Sequence, residues 1–183
     1  MDNGASSYRR YLQGDEEAFE EIVKLYFDGL LLFVYGYVRN LETAEDIVID
    51  VFTQLVVHKH RFHFRNSLKT YLFVMGRSRA LDHLKRVKKV QFTELTEESR
   101  LRDPQPGPEE QLLADEEKRQ LYSAIAQLPE EQRQVLHLVY FRELSCEEVA
   151  KILRKNRKQV YNLLYKGKEA LRTTLKKEGM MVL

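Results

Sequence analysis

Apolar residues recur every three or four positions along most of the chain, which is the pattern of amphipathic α-helices. The first long segment of this kind runs from Phe19 to Val38. A second is predicted to start near Thr43, because Thr43 and Asp46 form a T-x-x-D start signal before an apolar stripe. No segment alternates convincingly as a strand, so the sequence predicts an all-α fold.

A third long helix is predicted after the polar and aromatic stretch 58–67. Ser67 is placed to cap this helix, and Leu68 and Leu72 begin its apolar side. The helix is predicted to end in the basic run 85–89. These three helices form the predicted N-terminal helical bundle, residues 1–90.

Apolar residues become sparse between Gln91 and Glu110, where three prolines and a glycine cluster. This composition interrupts helices and favours an extended, solvated connection. Helical periodicity resumes at Leu112 and Leu113. The sequence therefore predicts a flexible acidic linker at 91–112 and a second helical domain at 113–183.

The distribution of charge supports this division more than the total does. Thirty basic and 28 acidic residues give a net charge of only +2, but residues 91–117 carry −7 and residues 118–183 carry +7. An acidic middle followed by a basic C-terminal module is typical of an interaction protein rather than of a uniform enzyme surface.

Cysteine content and hydropathy restrict the setting. Cys146 is the only cysteine, so an intrachain disulfide and a thiolate cluster for zinc are both excluded. The longest apolar run, Leu30 to Val38, is much shorter than the ~20 residues that a transmembrane helix needs. The N-terminus does not resemble a signal peptide, so we expect a cytoplasmic protein with no membrane insertion.

The C-terminal sequence predicts a helix-turn-helix. Ser145 and Glu148 form an S-x-x-E capping box that opens a short helix, and Asn156 is placed to cap a second helix with Gln159 reaching back. Only the turn 154–156 separates the two helices. A short turn before a basic helix is the arrangement that enters the DNA major groove.

The second helix presents hydrogen-bond donors, aromatic rings and cations on its outward side. These residue types contact base edges and phosphates, although a basic face can also serve solubility alone. The candidate DNA-binding residues are Arg157, Lys158, Tyr161, Asn162, Tyr165, Lys166 and Lys168.

Five sequence blocks, in order, resemble the extracytoplasmic-function (ECF) class of RNA polymerase sigma factors. The first block carries A-E-D followed by apolar residues, an acid and a phenylalanine. The last two blocks lie in the predicted helix-turn-helix. The resemblance runs from about Asp15 to Leu175 and leaves out the linker. The matching blocks are 44–52, 70–84, 128–140, 144–150 and 160–172.

The resemblance implies a role for each domain. Residues 1–90 would be sigma region 2, which binds the polymerase core and the promoter -10 element, and residues 113–183 would be sigma region 4, which binds the -35 element. The implied partners are the RNA polymerase core enzyme, promoter DNA and an anti-sigma factor. No cofactor, metal or catalysis is implied.

The resemblance also assigns residues in the first domain. Asp46 and Asp50 lie four positions apart on one helical face, so paired carboxylates beside Phe52 could meet a basic polymerase surface; a solvated acidic face is the alternative. An aromatic and basic loop precedes a helix with two outward arginines, a combination suited to an unstacked base. The candidate -10 residues are Phe64, Arg65, Asn66, Arg77 and Arg79.

The resemblance has departures. The family usually has a glycine in the helix-turn-helix turn, whereas this chain has Arg154, Lys155 and Asn156 there. Asparagine tolerates the left-handed geometry that the turn needs. Ile49 stands where a glutamine is common.

Other functions fit the sequence less well. His58, His60 and His63 could in principle hold a metal ion, and Cys146 at a helix start could be a reactive thiolate. No glycine loop for phosphates and no nucleophile-base pair is present. The main alternative is a helix-turn-helix regulator that binds its operator as a dimer. A regulator would bind DNA alone, whereas a sigma factor would need the core enzyme.

Overall fold

The computed structural model describes residues 3–93 and 124–177. The chain divides into two compact units, 1–102 and 103–183, which are described separately. Within the described ranges, all regular secondary structure is helical, so the predicted all-α fold with two helical domains is confirmed. The predicted linker beyond Thr93 and the predicted resumption of helix at Leu112 lie outside the described residues.

The first unit contains four helices: α1 Asn3–Leu12, α2 Glu17–Val38, α3 Leu41–Val57 and α4 Leu68–Thr93. Helix α2 is central, because α1, α3 and α4 all pack against it. Its buried side is apolar, as its periodicity predicts. The fully buried large side chains of the three long helices are Ile22, Leu30, Val34, Val48, Val51, Leu55, Leu68, Leu72 and Phe73.

Helix α1 was not predicted, because its ten residues include a glycine and two serines and too few apolar residues to show a helical period. Its packing explains why it forms. Tyr8 is fully buried, and a Cβ atom at Gly4 would overlap the Tyr26 ring of α2. Glycine is therefore needed for the close approach of these two helices.

The helix ends confirm one predicted cap and correct another. The Ser67 hydroxyl accepts a hydrogen bond from Thr70 N at 3.1 Å, as expected of the cap of α4. Helix α3 begins at Leu41 rather than near Thr43, because Asn40 Oδ1 accepts from Thr43 N at 2.8 Å. The predicted Thr43 cap is thus wrong, since an asparagine stands three residues earlier. Helix α4 continues to Thr93, past the predicted domain end at residue 90.

In the second unit, residues 124–126 are helical and precede helices α5 Glu130–Leu136, α6 Cys146–Leu153 and α7 Arg157–Lys177. Helix α5 passes into a single π-helical turn, His137–Phe141, which the sequence did not predict. A small core unites these elements. Its buried apolar residues are Ala124, Leu128, Val135, Leu136, Leu138, Leu144, Val149, Ile152, Leu153, Val160 and Leu175.

None of the helices within 3–93 and 124–177 combines the length and apolar character that crossing a bilayer requires.

Candidate polymerase and nucleic-acid interfaces

The helix-turn-helix has both of its predicted caps. Glu148 N donates to Ser145 Oγ at 3.3 Å while Ser145 N donates to the Glu148 carboxylate at 3.0 Å. The same reciprocal pattern, at 2.8 Å in each direction, joins Asn156 and Gln159 at the start of α7. These bonds satisfy backbone donors that would otherwise be free at the two helix starts.

The turn between the two helices differs in one respect from the expectation. Its left-handed residue is Arg154, with φ of 52°, and not Asn156. Asn156 is instead the N-cap of α7, which needs an extended backbone. An arginine therefore occupies the conformation that glycine favours at helix ends.

Two ion pairs fix the start of α7 against the rest of the unit. Arg157 lies 2.8 Å from Glu147 of α6, and Lys155 lies 2.6 Å from Glu131 of α5. Each pair links the turn region to a different helix. Together with the caps, they orient the first turn of α7 relative to the core.

The outward face of α7 carries most of the predicted DNA-binding residues in solvent. Lys158, Asn162 and Lys166 are exposed, as are Tyr161 and Tyr165, whose exposed fractions are 47% and 68%. These two aromatic rings lie outside the buried core of the unit. Their presence among amide and ammonium donors is typical of a nucleic-acid surface.

Two predicted cations of α7 have partners. The Arg157 guanidinium lies over the Tyr161 ring and donates to its hydroxyl at 3.3 Å; this hydrogen bond raises the pKa of Arg157. Lys168 Nζ lies 5.1 Å from the ring centroid of Tyr140, at the end of the π-helical turn. Lys168 is therefore in contact with the preceding helix segment.

The first unit places two predicted carboxylates on the surface of α3. Asp46 is exposed, and Asp50 is half-exposed. Asp50 is also paired: its carboxylate lies 3.2 Å from Arg79 of α4. Asp50 is predicted on the polymerase surface and Arg79 on the -10 surface, so the sequence did not predict this pair.

Phe52 does not stand on this surface. Its side chain is only 6% exposed and stacks on Phe27 with ring centroids 6.2 Å apart. The expected role of Phe52 as an external anchor conflicts with this packing, since its ring belongs to the core between α2 and α3. The exposed apolar residue between the carboxylates is Ile49, at 55% exposure. An isoleucine off the buried stripe was the signal available in the sequence.

The loop between α3 and α4 is built on an aromatic cluster. Phe62 is buried and contacts Phe64, with ring centroids 4.7 Å apart. Phe64 is half-buried and has φ of 55°, a left-handed conformation that is costly for a bulky residue. Arg65 and Asn66 follow it and are exposed. The loop thus presents polar and cationic groups above buried rings.

The two predicted arginines of α4 are half-buried rather than directed fully outward. Arg79 is in the ion pair with Asp50, and Arg77 has a buried Nε atom without a hydrogen-bond partner in the described part of the chain.

The three loop histidines are exposed. Within 3–93 and 124–177, no three histidine, cysteine or acidic side chains come close enough to hold a metal ion.

A capped helix-turn-helix with donors along its second helix is the arrangement found in many DNA-binding proteins. Comparison with known proteins gives the family. Residues 22–90 match the family described as Sigma-70 region 2, and residues 118–171 match Sigma-70, region 4.

Relatives span nearly the whole chain. The ECF RNA polymerase sigma factor SigW of Bacillus subtilis is 29% identical over 90% of this chain and 92% of its own. SigX of the same organism is 28% identical over 86% of this chain and 83% of its own. Among solved structures, the sigma factor RpoE of Bartonella quintana, in complex with the anti-sigma factor NepR, has a similar fold. The superposition of the two structures has a TM-score of 0.64 at 21% sequence identity, and it covers 86% of this chain and 96% of that chain.

The chain therefore belongs to the sigma-70 family of RNA polymerase sigma factors, in the ECF class, as the sequence resemblance predicted.

Proposed function

We propose that this sigma factor binds the core polymerase through α3 and the promoter through two separate surfaces, one on each unit. The first unit, with the interhelical loop 58–67, binds the -10 element, and α7 of the second unit binds the -35 element. The observation that carries the proposal is α7: capped, fixed by two ion pairs and exposing aromatic and amide groups along one face.

The polymerase-binding surface comprises Asp46, Ile49 and Asp50. Exposed carboxylates attract a basic partner during encounter, and an apolar side chain between them provides the area that is buried on binding. Ile49 thus replaces Phe52 as the apolar contact. The partner implied by this chemistry is a basic, partly apolar surface of the core enzyme.

The -10 surface comprises the loop residues Phe64, Arg65 and Asn66 together with Arg77 and Arg79 at its side. Stacking on an aromatic ring stabilises an unstacked base, and arginine binds the adjoining phosphates. Phe64 has the strained backbone that often marks such a site. Its ring is held by neighbouring rings, so it is positioned before DNA arrives.

The -35 surface is the outward face of α7. Asn162 and Tyr165 are placed to contact base edges, while Lys158 and Lys166 are placed to contact phosphates. Arg157, Tyr161 and Lys168 flank them.

We also propose that the chain acts in the cytoplasm without catalysing a reaction, and that an anti-sigma factor controls it. Among solved structures with this fold, RpoE is in complex with the anti-sigma factor NepR. CnrH, which has a TM-score of 0.60 at 16% identity to this chain, is in complex with the cytosolic domain of CnrY.

Run-off transcription with purified core enzyme and a genomic promoter library tests the proposal. Defined transcripts should appear only when both the chain and core are present, and a complex of the two should elute together on gel filtration. Transcription unchanged by the chain, with no complex, would contradict the proposal. A sequence-specific footprint without core enzyme would instead indicate a conventional regulator.

A further inference from the structure

Helix α1 holds the loop that carries Phe64, although it precedes the segment 22–90 that matches region 2. The Tyr8 hydroxyl of α1 donates to the carbonyl oxygen of Lys59 at 2.7 Å, at the start of the loop. Its ring meets Phe62 edge-on at 5.5 Å and Phe64 at 6.1 Å. Burial raises the pKa of Tyr8, so the hydroxyl remains a donor at any physiological pH.

The next residue along α1 reaches the surface of the same loop. The guanidinium carbon of Arg9 lies 4.8 Å from the ring centroid of Phe64. Arg9 is exposed, and within the described part of the chain it forms no ion pair. Because the Arg9 guanidinium is exposed, its contact with the half-buried Phe64 ring is weak, so Arg9 can exchange this contact for a phosphate.

Arg10, one residue further, has a different environment. It forms ion pairs with Glu21 of α2 and Asp15, and its hydrogen bond to Glu21 raises the pKa of Arg10. Its charge is therefore neutralised within the protein. Arg9 and Arg10 provide two like charges on one helix, of which only the first joins the loop.

The loop that carries Phe64 also carries three exposed cations. Lys59, Arg61 and Arg65 are exposed on the loop, and Arg9 adds a fourth charge from another helix. Cations interleaved with aromatic rings are the arrangement that follows the backbone of a single strand.

We infer that α1 is part of the promoter-binding surface: Arg9 contacts a phosphate of the single-stranded DNA beside Phe64, and Tyr8 is the positioning residue that holds the loop in place for it. This inference rests on the proposed role of the loop at the -10 element. It adds a DNA contact from outside the matched region.

The test measures binding of holoenzyme, assembled from the full chain and core enzyme, to a fluorescent single-stranded oligonucleotide. Its sequence is the non-template strand across the -10 element of a promoter found by run-off transcription. Arg9→Ala should weaken binding about threefold to tenfold and reduce the slope of log affinity against log salt by about 0.7, as expected for one lost phosphate contact. Arg9→Lys should retain most of that slope.

Arg10→Ala is the matched control, because it removes the same charge one residue away and should leave oligonucleotide binding unchanged. Equal losses of oligonucleotide affinity in Arg9→Ala and Arg10→Ala would overturn the inference. So would an Arg9→Ala holoenzyme that binds like wild type when Phe64→Ala binds weakly. Wild-type binding by Phe64→Ala and Arg65→Ala as well would contradict the proposed role of the loop itself. A photo-crosslinking amino acid at position 9, but not at position 10, should attach to the non-template strand.

Tyr8→Phe separates positioning from folding. It keeps the ring but removes the hydrogen bond to the Lys59 carbonyl and the longer one, 3.4 Å, to the Leu55 carbonyl. Oligonucleotide binding should therefore weaken while the salt slope stays at the wild-type value. Unchanged binding by a folded Tyr8→Phe holoenzyme would remove Tyr8 from this role.

Discussion

Arg79 of α4 lies 3.2 Å from Asp50 of α3, which joins a residue of the proposed DNA surface to a residue of the proposed polymerase surface. The two surfaces of the first unit therefore share one ion pair. A change at Asp50 alters the setting of Arg79 as well as the charge offered to polymerase. Experiments on Asp50 alone would mix two effects.

A charge swap separates these effects. Asp50→Arg alone places two cations together and should lower the free energy of unfolding by about 1 kcal/mol or less, because both side chains are about 40% exposed. Combining it with Arg79→Asp should recover most of that stability, measured by urea denaturation. Core binding should stay weak in the double variant. Full recovery of core binding would show that Asp50 serves only to hold Arg79.

Base contacts and phosphate contacts on α7 should respond differently to substitution. Asn162→Ala or Tyr165→Ala should cost about 1 to 3 kcal/mol at cognate -35 elements and relax selectivity. Lys166→Ala should weaken binding to all sequences alike and reduce the salt slope by about 0.9. The measurement is holoenzyme binding to cognate and scrambled duplexes over a salt series. If all three variants lost the same affinity for the cognate and the scrambled duplex, α7 would bind DNA only through nonspecific charge.

The buried and exposed apolar residues of α3 should have opposite phenotypes. Phe52→Ala should lower the free energy of unfolding by about 3 to 5 kcal/mol, since its ring is in the core. Ile49→Ala should change stability by about 0.5 kcal/mol or less but weaken core binding. Urea denaturation and core-binding titrations of both variants show which residue stabilises the fold and which one binds the core enzyme. A stable Phe52→Ala protein that fails to bind core would restore Phe52 as the anchor.

The left-handed arginine of the helix-turn-helix should be a site of stabilisation. Arg154→Gly relieves a positive φ and should raise the free energy of unfolding by about 0.5 to 1 kcal/mol. Arg154→Ala is the control, because a Cβ atom keeps the strain, and it should give no gain. Thermal and urea unfolding measure both. A destabilised Arg154→Gly protein would mean that the arginine side chain contributes more than its backbone conformation costs.

The sequence predicted the elements whose signals are local. Ser145, Asn156 and Ser67 each cap the predicted helix. Such a cap can be predicted because its side chain accepts a hydrogen bond from the backbone N–H only three residues later. The long helices followed from apolar periodicity alone. The family resemblance then supplied functions that no local pattern contains.

What the sequence could not predict depends on contacts between distant residues. The ion pair of Asp50 and Arg79 spans 29 positions, and Tyr8 meets a loop about 50 residues away. Helix α1 has too few apolar residues to show a period, and it is stabilised by packing on α2 and on the loop. Phe52 shares both the buried stripe and the family motif, so only the packing shows which way its ring points.

Competition for core enzyme tests the central claim most directly. Asp46 is exposed, lies off the buried stripe and does not form the cap of α3, so Asp46→Lys should leave the fold intact by circular dichroism. Charge reversal at the polymerase surface should lower affinity for core at least about tenfold relative to wild type, and high salt should narrow the difference. Glu20→Lys, on the exposed side of α2, is the control for net charge and should compete like wild type. Undiminished competition by folded Asp46→Lys protein would contradict the assignment of α3 as the polymerase-binding helix.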